Sequence, residues 1–311
     1  GALSISPADV LQALFGGGTE GEIEVDELII WDLTLRRLPR VLLALLVGAA
    51  LAVAGAILQG LTRNPLASPG ILGINSGASL GVVLAIVLFP GGLSISALYL
   101  LPSFAFAGAL IAALLVYLLA WKGRNGLSPV RLILAGIALS ALFSALTTLL
   151  LLLSDDLQDQ QALFWLTGSL SGRNWEDVKL ALPILLIGLP LALLLARQLN
   201  VLSLGDDTAK GLGVNVERVR LLLLLLVVLL TGAAVAVAGP IGFVGLIVPH
   251  IARRLVGTDH RWLLPASALL GAILLLLADL LARTLFAPIE LPVGIVTALI
   301  GAPYFLYLLR R

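Results

Sequence analysis

Long apolar stretches alternate with short polar or glycine-rich segments along almost the whole chain after residue 40. About nine of them approach the roughly 20 apolar residues that a helix needs to cross a lipid bilayer. They lie near residues 41–60, 71–89, 95–120, 130–153, 178–197, 219–238, 240–256, 263–286 and 291–309. Because no water satisfies backbone groups inside a bilayer, this pattern predicts an all-α, polytopic transmembrane bundle.

The seventh stretch, 240–256, is short and is interrupted by residues that break helices. These residues are Gly239, Pro240, Gly242, Gly245 and Pro249. A break at membrane depth is tolerated only where protein or a water-filled cavity covers the backbone. We therefore expect this segment to be covered by the rest of the bundle or to line a cavity.

The composition agrees with a membrane protein. Of the 311 residues, 60% are hydrophobic and 12% are charged, and the mean hydropathy is +1.11. Soluble domains have about 45–50% apolar and about 25% charged residues. We interpret residues 1–311 as a single transmembrane domain in a lipid bilayer, and a net charge of +1 gives no indication of nucleic-acid binding.

The chain carries no sequence signature of an enzyme or of a metal site. It lacks the phosphate loop G-x-x-x-x-G-K-[ST], so any ATP is hydrolysed by another chain. It has no cysteine, which excludes disulfides and thiolate ligands. His250 and His260 are too few, and by our prediction too exposed, to indicate a metal site. Methionine is also absent, which we interpret as the mark of a trimmed or redesigned sequence.

Lysine and arginine are concentrated in alternate loops, which predicts the orientation of the helices. The basic residues that share one side of the membrane are Arg63, Lys122, Arg124, Arg131, Arg197, Lys210, Arg218, Arg220, Arg253, Arg254, Arg261, Arg310 and Arg311. The opposite loops and the segment before residue 33 are acidic. Because basic loops stay in the cytoplasm, we predict a cytoplasmic C-terminus and an outer N-terminal segment, residues 1–40.

Three arginines in the stretch TLRRLPR contradict this trend. Arg36, Arg37 and Arg40 directly precede the first apolar stretch, on its predicted outer side. One interpretation is that their side chains extend to lipid phosphates, as those of arginines near helix ends often do. The other is that they form a docking surface for an acidic partner outside the membrane.

Asp279 and Arg283 are charged residues within a predicted membrane helix. Their i and i+4 spacing places them on one helix face, where they can pair. Charges inside a bilayer are costly and are often functional. Mutual neutralisation is the simpler interpretation, and a surface shared with Arg37 and Arg40 is the alternative.

The segment LGINSGASLG has glycines at four-residue spacing. Gly73, Gly77 and Gly81 therefore share one helix face, where small residues allow a neighbouring helix to approach closely. Helix packing is the favoured interpretation. Asn75 and Ser76 lie beside that face and are candidates to line a translocation pathway.

The longest predicted cytoplasmic loop reads RQLNVLSLGDDTAKGLGVNVERVR. Asp206 and Asp207 are suited to cap a short helix, and Gly211 and Gly213 to end it. A second short turn is predicted from Asn215. Such a helix–glycine–helix element suits docking by a soluble partner, and a solvated connector is the alternative.

Four long stretches together resemble the FecCD family, the membrane subunits of ATP-binding-cassette importers for iron–siderophores, haem and vitamin B12. They are LRRLPRVLLALLVGAALAVAGAILQGLTRNPLASPGILGINSGASLG, LGDDTAKGLGV, GPIGFVGLIVPHIARRLVGTDHRWLLP and LADLLARTLFAPIELPVGIVTALIGAPYF. They follow the family's order over nearly the whole chain. Within the family, FWLTGSLSGRNW and PIELPVGI are most similar to the membrane subunits of ferric-citrate permeases.

The resemblance implies a ten-helix permease in the bacterial inner membrane. It pairs with a second permease subunit, with two ATPase subunits on the cytoplasmic side and with a periplasmic binding protein outside. ATP and magnesium would be bound by the ATPase, whereas this chain would bind no cofactor and no metal with high affinity.

The resemblance also assigns residues to sites. The arginines of the RLPR and ADxxAR motifs would meet glutamates of the binding protein, and here they are Arg37, Arg40 and Arg283. The ATPase-coupling element would fall within the loop 197–220, at Leu204, Gly205, Asp206, Asp207, Ala209, Gly211, Leu212 and Gly213. The pathway would lie between two permease subunits, lined by small and weakly polar residues.

The chain departs from the family at its start and leaves two alternatives open. GALSISPADV matches the outer loop that follows the family's first helix, so we expect about nine of the ten helices. Haem or vitamin B12 is the alternative cargo. A secondary transporter or channel without an ATPase is the alternative class, although no inverted repeat is detectable and Asp279 is the only carboxylate deep in a predicted span.

Overall fold

The structure, a computed structural model, describes residues 37–89, 96–121, 123 and 127–309. These parts of the chain form an all-α bundle, as the sequence predicted. The helices are α1 (Leu38–Thr62), α2 (Ile74–Leu88), α3 (Ser96–Ala120), α4 (Pro129–Leu152), α5 (Asp156–Leu166), α6 (Trp175–Leu194), α7 (Ala196–Ser203), α8 (Asp206–Gly211), α9 (Val216–Ala238), α10 (Val244–Val256), α11 (His260–Thr284) and α12 (Val293–Leu309). A 3₁₀ turn, Pro69–Leu72, precedes α2.

Each of the nine predicted apolar stretches coincides with one long helix of the described chain. Six of these helices, α1, α3, α4, α6, α9 and α11, are long and apolar enough to cross a membrane. The helices α2, α10 and α12 are shorter. The short helices α5, α7 and α8 lie in the connections. The predicted outer segment 1–40 lies outside the described residues up to residue 36, and so does Arg36.

Helix α1 lies at the centre of the bundle and packs against α9, α10 and α11. Its side chains are buried from Val47 to Leu61. Two glycine contacts set the spacing of the helices. A Cβ atom added to Gly48 would lie 2.2 Å from the carbonyl oxygen of Gly271, and one added to Gly55 would lie 1.9 Å from that of Gly245. The absence of side chains at these points therefore lets the backbones touch.

Two of the three glycines of the predicted packing face, Gly77 and Gly81, lie against α3. A Cβ atom added to Gly77 would lie 2.5 Å from the carbonyl oxygen of Gly108 in α3. One added to Gly81 would lie 2.3 Å from the carbonyl oxygen of Phe104. Gly73 differs from the other two, because it precedes α2 in the left-handed conformation, with φ 74°, and faces α4.

The break that the sequence predicted in the seventh stretch lies between α9 and α10. Gly239 and Phe243 both have positive φ, 72° and 66°, and the segment between them is not helical. The residues after α5 cover it, since Ser169 donates a backbone hydrogen bond of 2.8 Å to Ala238. Gly245 and Pro249 lie inside α10 and do not interrupt it, so the break is shorter than predicted.

Contacts between distant residues sort the helix ends into the two groups that the loops predicted. Arg63, after α1, contacts Leu202 in α7 and Asp206 in α8. Arg40, at the start of α1, contacts Glu290 between α11 and α12. The two ends of α1 therefore lie in different polar regions, as a membrane-spanning helix requires.

Replacing Gly77 with alanine tests the α2–α3 contact. We expect Gly77→Ala to push the helices apart and to lower the free energy of unfolding by about 2 kcal/mol, as overpacking does. Thermal unfolding in detergent, followed by tryptophan fluorescence, measures the effect. Gly211→Ala is the control, because a Cβ atom there meets nothing within 4 Å. Equal melting temperatures for both variants would contradict a close helix contact at Gly77.

Candidate functional site

The loop 197–220 folds into a compact hairpin made of α7, α8 and the first turn of α9. Two glycines with positive φ, Gly205 (117°) and Gly213 (79°), turn the chain before and after α8. Helix α8 ends at Gly211, as predicted. The predicted element therefore exists, and we call residues 196–219 the hairpin.

Two details of the predicted hairpin were wrong. Asp206 and Asp207 are not caps, since they lie in the first turn of α8 and Gly205 occupies the capping position without a side-chain hydrogen bond. Asn215 does not begin a second short turn. Its side chain accepts a hydrogen bond of 3.1 Å from the backbone of Arg218 and so caps the long helix α9.

Two exposed leucines stand on the solvent-facing side of the hairpin, among polar residues such as Asp207 and Lys210. Leu204 is 63% exposed and Leu212 is 61% exposed, and they stand at the two ends of α8. Gly211 and Gly213 have open space around them. Ala209, by contrast, is fully buried and anchors α8 on the bundle. Two exposed leucines on a short, anchored helix form a surface that a protein partner can cover.

Asp206 fixes the hairpin to two helices at once. Both of its carboxylate oxygens accept hydrogen bonds of 2.9 Å from Nη2 of Arg220 in α9. One of them also accepts a hydrogen bond from Arg63, which follows α1. Arg63 further donates to the backbone oxygen of Leu202, at 3.0 Å from Nη2, and Arg220 donates to that of Leu127 at 3.0 Å. We call these residues the inner cluster.

The charge of Asp206 is maintained by this arrangement. Partial burial on its own would raise the pKa of Asp206, but the hydrogen bonds and positive charges of Arg220 and Arg63 outweigh it. The net effect lowers the pKa below its usual value, so the carboxylate stays ionised in neutral solution. Burial and nearby charges thus act in opposite directions, and the arginines determine the outcome.

A second polar contact holds the base of the hairpin. The side-chain amide of Asn200 in α7 donates a hydrogen bond of 2.7 Å to Asp259, the capping residue of α11. The amide oxygen of Asn200 accepts a hydrogen bond of 2.9 Å from the backbone N–H of His260. Hydrogen bonds from Arg261 and then Asn200 lower the pKa of Asp259. His260 is 5% exposed, so the predicted exposure was wrong for this residue.

The opposite end of α1 carries a second ionic cluster, the outer cluster. Arg40 donates to Asp279 through Nε at 3.0 Å and Nη2 at 2.9 Å, and to Glu290 through Nη1 at 2.8 Å. The side chain of Asp279 is fully buried and that of Arg40 is 11% exposed. The predicted pair is present as well, with 3.4 Å between Nε of Arg283 and Asp279.

Glu290 extends the outer cluster to the segment after α5. Its carboxylate accepts a hydrogen bond of 2.9 Å from the hydroxyl of Ser171. Burial alone would raise the pKa of Glu290, but Arg40 and Ser171 outweigh it and lower the pKa. The cluster therefore joins α1, α11, the connection to α12 and the residues after α5.

The three arginines predicted to dock a partner occupy different environments. Arg40 directs its guanidinium inward, to carboxylates of this chain. Arg283 is 28% exposed, and Arg37 is half-buried. The prediction that all three meet an outside partner stays a prediction. Arg40 and Arg283 both contact Asp279 of this chain, and Arg40 also contacts Glu290.

An open, mostly apolar groove lies beside the break between α9 and α10. It has a volume of about 540 Å³ and is lined by the end of α5, by Pro240 and by one face of α12. Thr167, Gly294, Ala298 and Pro303 are among its lining residues. The predicted pathway residues Gly73, Asn75 and Ser76 do not line it, and their role as a pathway stays a prediction.

Gly294 shows why this face of α12 has small residues. A Cβ atom there would lie 2.1 Å from the carbonyl oxygen of Thr167. The backbone N–H of Gly294 donates a hydrogen bond of 3.0 Å to the carbonyl oxygen of Gly168.

The sequence matches the FecCD transport family over residues 1–311. The chain belongs to this family.

Individual relatives agree with the FecCD assignment. The Fe(3+)-citrate import system permease protein YfmD of Bacillus subtilis (strain 168) is 49% identical over 311 residues, which cover 100% of this chain and 89% of that protein. The hemin transport system permease protein HmuU of Yersinia pestis is 53% identical over 91% of this chain and 84% of that protein. These two FecCD-like relatives thus have comparable identity and different names for their cargo.

A solved structure supports the fold of this FecCD protein. It is described as a metal-chelate type ABC transporter in an inward-facing conformation, with a TM-score of 0.84 and 40% identity. The match covers 97% of this chain and 94% of that chain. The chain is therefore a transport permease subunit rather than an enzyme, and it crosses the membrane several times.

Sequence reasoning missed most of the partners that hold the two clusters of this FecCD chain. Arg63 and Arg220 were treated only as loop charges that report orientation. Glu290 was treated as an outer acidic residue, and Asn200 was not singled out. Their sequence positions gave no signal, because each contacts a residue from a different part of the chain.

The outer cluster generates a prediction about stability. Arg40→Gln leaves the buried Asp279 with Arg283 as its remaining cation. We expect the free energy of unfolding to fall by about 2 kcal/mol. This is less than the full cost of breaking a buried ion pair, because the cluster borders water. Thermal unfolding in detergent measures it.

Lys179→Gln is the matched control for Arg40→Gln. It removes one positive charge from the same end of the bundle, but Lys179 is 68% exposed, and its ion pair within the described residues is with Glu176 on the same helix. Its melting temperature should stay close to that of the unaltered protein. If Arg40→Gln is equally harmless, Arg40 does not stabilise the buried carboxylate.

Proposed function

We propose that this chain is the membrane-spanning permease subunit of an ATP-binding-cassette importer that moves an iron(III) chelate, ferric citrate or a siderophore, into the cytoplasm. The observation that carries the proposal is the hairpin. It offers an exposed apolar surface at Leu204 and Leu212 while Asp206 ties it to two central helices. That combination suits a part that receives movement from another protein, and membership of the FecCD family agrees with it.

The partner at the hairpin is an ATPase. This chain has no phosphate loop, so ATP and magnesium are bound by that partner, with two ATPase subunits per importer. The hairpin of each permease subunit would occupy a cleft on one ATPase subunit. Closure of the ATPases on nucleotide would push the hairpins and switch the pathway between outward and inward opening.

The groove along α12 supports a pathway shared by two permease subunits. Its lining is mostly apolar and comes from small residues such as Gly294 and Ala298, and the groove is open on one side. A second permease subunit placed against it would close it. A smooth lining of this kind suits a bulky chelate that passes without tight binding.

A periplasmic binding protein would deliver the chelate at the outer cluster. Arg283 supports this role best, because its side chain is partly exposed and its contact with Asp279 is long. Arg37 is the neighbouring candidate. Ion pairs across such a surface mainly speed and orient docking. With this arrangement the protein lies in the bacterial inner membrane, and the hairpin and the C-terminus face the cytoplasm.

Haem is a second candidate cargo, and one observation favours it. The relative from Yersinia pestis is named a hemin transport permease and is 53% identical, whereas the relative named for Fe(3+)-citrate is 49% identical. Identity alone does not separate them. Vitamin B12 remains the alternative from the family resemblance, and transport without an ATPase is the outcome if none is recruited.

Charge on the apolar surface of the hairpin tests the proposal. We expect Leu212→Glu to abolish association with the ATPase, because a desolvated carboxylate would face the partner without a counter-charge. The chain is co-expressed with the ATPase subunits of the Bacillus subtilis Fe(3+)-citrate import system, and recovery of the ATPase by affinity purification is measured.

Thr258→Glu is the matched control for Leu212→Glu. It adds the same charge at an exposed residue of the same end of the bundle, outside the hairpin. It should recover as much ATPase as the unaltered chain. Full recovery with Leu212→Glu would show that the hairpin is not the ATPase contact, and no recovery with the unaltered chain would contradict the proposed function itself.

The outer surface generates a separate prediction. Arg283→Gln should weaken binding of an acidic periplasmic binding protein by a few fold, and the loss should shrink as salt screens the interaction. Titration of the ferric-citrate binding protein onto the chain in nanodiscs, at low and high sodium chloride, measures it. Lys179→Gln removes the same charge nearby and should change binding less. Equal binding by all three proteins would exclude Arg283 as a docking residue.

A further inference from the structure

We propose that Asp206 is the positioning residue that transmits movement of the hairpin to α1 and α9. The inference rests on the function proposed above and specifies how the hairpin acts. Other contacts also anchor the hairpin, Ala209 by burial and Asn200 by its bonds to α11. Asp206 differs from them because one carboxylate joins three separate elements.

The first step of the argument is the position of the two arginines. Arg63 directly follows α1 in the left-handed conformation, with φ 52°, and Arg220 lies in the second turn of α9. Helices α1 and α9 are the two most buried membrane helices of the described chain. A displacement of Asp206 therefore acts on the ends of the helices at the centre of the bundle.

The second step is the stiffness of the connection. The side chain of Arg220 is 4% exposed, and it is held on its other side by the backbone oxygen of Leu127. Separating Asp206 from it would break two hydrogen bonds of 2.9 Å and leave Glu217, 3.7 Å away on the same helix, as the remaining carboxylate beside this buried guanidinium, which is unfavourable. The hairpin and the start of α9 therefore move together while this contact persists.

The third step is the contrast with the neighbouring residue. Asp207 is exposed, and no ion pair connects it to another residue of the described chain. It lies on the same short helix and has the same charge. Of these two neighbouring aspartates, Asp206 is therefore the one that forms ion pairs with Arg63 and Arg220.

The test uses the absence of cysteine from the chain. Ala298→Cys places a single thiol in the groove, and its reaction with a water-soluble fluorescent maleimide reports how open the groove is. The complex with the second permease subunit and the ATPase subunits is reconstituted in nanodiscs and labelled with and without a non-hydrolysable ATP analogue. Labelled subunits are separated on a gel, so thiols of the partners do not interfere.

We expect the nucleotide to change the labelling rate in the Ala298→Cys background and in the same background with Thr258→Lys, which changes the net charge by the same amount as Asp206→Asn at an exposed residue outside the hairpin. Adding Asp206→Asn should reduce that change by about tenfold, a factor within the usual range of allosteric coupling between sites, while ATPase recovery stays the same. Asp206→Glu, which keeps the charge, should restore most of the response. Rescue by glutamate distinguishes transmission through the ion pair from simple loss of fold.

Three results would overturn the inference. The first is an equal nucleotide response with Asp206→Asn and Thr258→Lys. The second is a loss of ATPase recovery with Asp206→Asn, which would make the residue part of the docking surface. The third is a loss of response that Asp206→Glu does not restore. Failure of the unaltered hairpin to recruit any ATPase would instead contradict the proposed function, so the two failures are distinguishable.

Discussion

The close approach of helices around α1 is the constraint on which the rest of the structure depends. In a bilayer, moving an apolar side chain from lipid into a helix contact releases little hydrophobic free energy, because lipid tails are equally apolar. Helices therefore associate through tight packing and polar contacts. At Gly48 and Gly55 the backbone of α1 touches α11 and α10 directly. Gln59 adds a buried polar contact, since it donates to the carbonyl oxygens of Gly245 and Leu246 and accepts from Arg253. The helix is therefore held along its length.

Both ionic clusters are attached to this helix. Arg40 lies at its outer end and Arg63 follows its inner end, about 35 Å apart at the rise of an α-helix. The outer cluster joins α1 to α11 and to the connection before α12, whose face lines the groove. The inner cluster joins α1 to the hairpin and to α9. Helix α1 thus has an ionic cluster at each end. It connects the surface proposed to bind the ATPase to the walls of the groove, and the transport mechanism proposed above depends on this connection.

The local patterns of the sequence were sufficient for the helices but not for the clusters. Apolar stretches gave the positions of the nine long helices, four-residue glycine spacing gave the contact at Gly77, and i, i+4 spacing gave the pair Asp279–Arg283. Each of these signals lies within one helix. The contacts of Arg40 with Asp279 and of Arg63 with Asp206 join residues 239 and 143 positions apart. Such pairings depend on how helices pack, which no periodicity encodes.

The same limit explains the errors at the hairpin. An aspartate near a helix start favours a capping role, and Asp206 takes another role because two arginines from distant segments reach it. His260 was expected to be exposed because it lies at a predicted cytoplasmic edge, but the backbone of Gly60 leaves space for its ring. Tertiary packing decides both cases.

Movement of iron across a membrane is the most direct measurement of the central claim. The chain is reconstituted in liposomes with its second permease subunit, the ATPase subunits and a ferric-citrate binding protein, and accumulation of radioactive iron is followed. The account predicts accumulation only when ATP and the loaded binding protein are both present. Iron that crosses at the same rate without ATP, or no iron crossing while the bound ATPase hydrolyses ATP in response to the loaded binding protein, would contradict it.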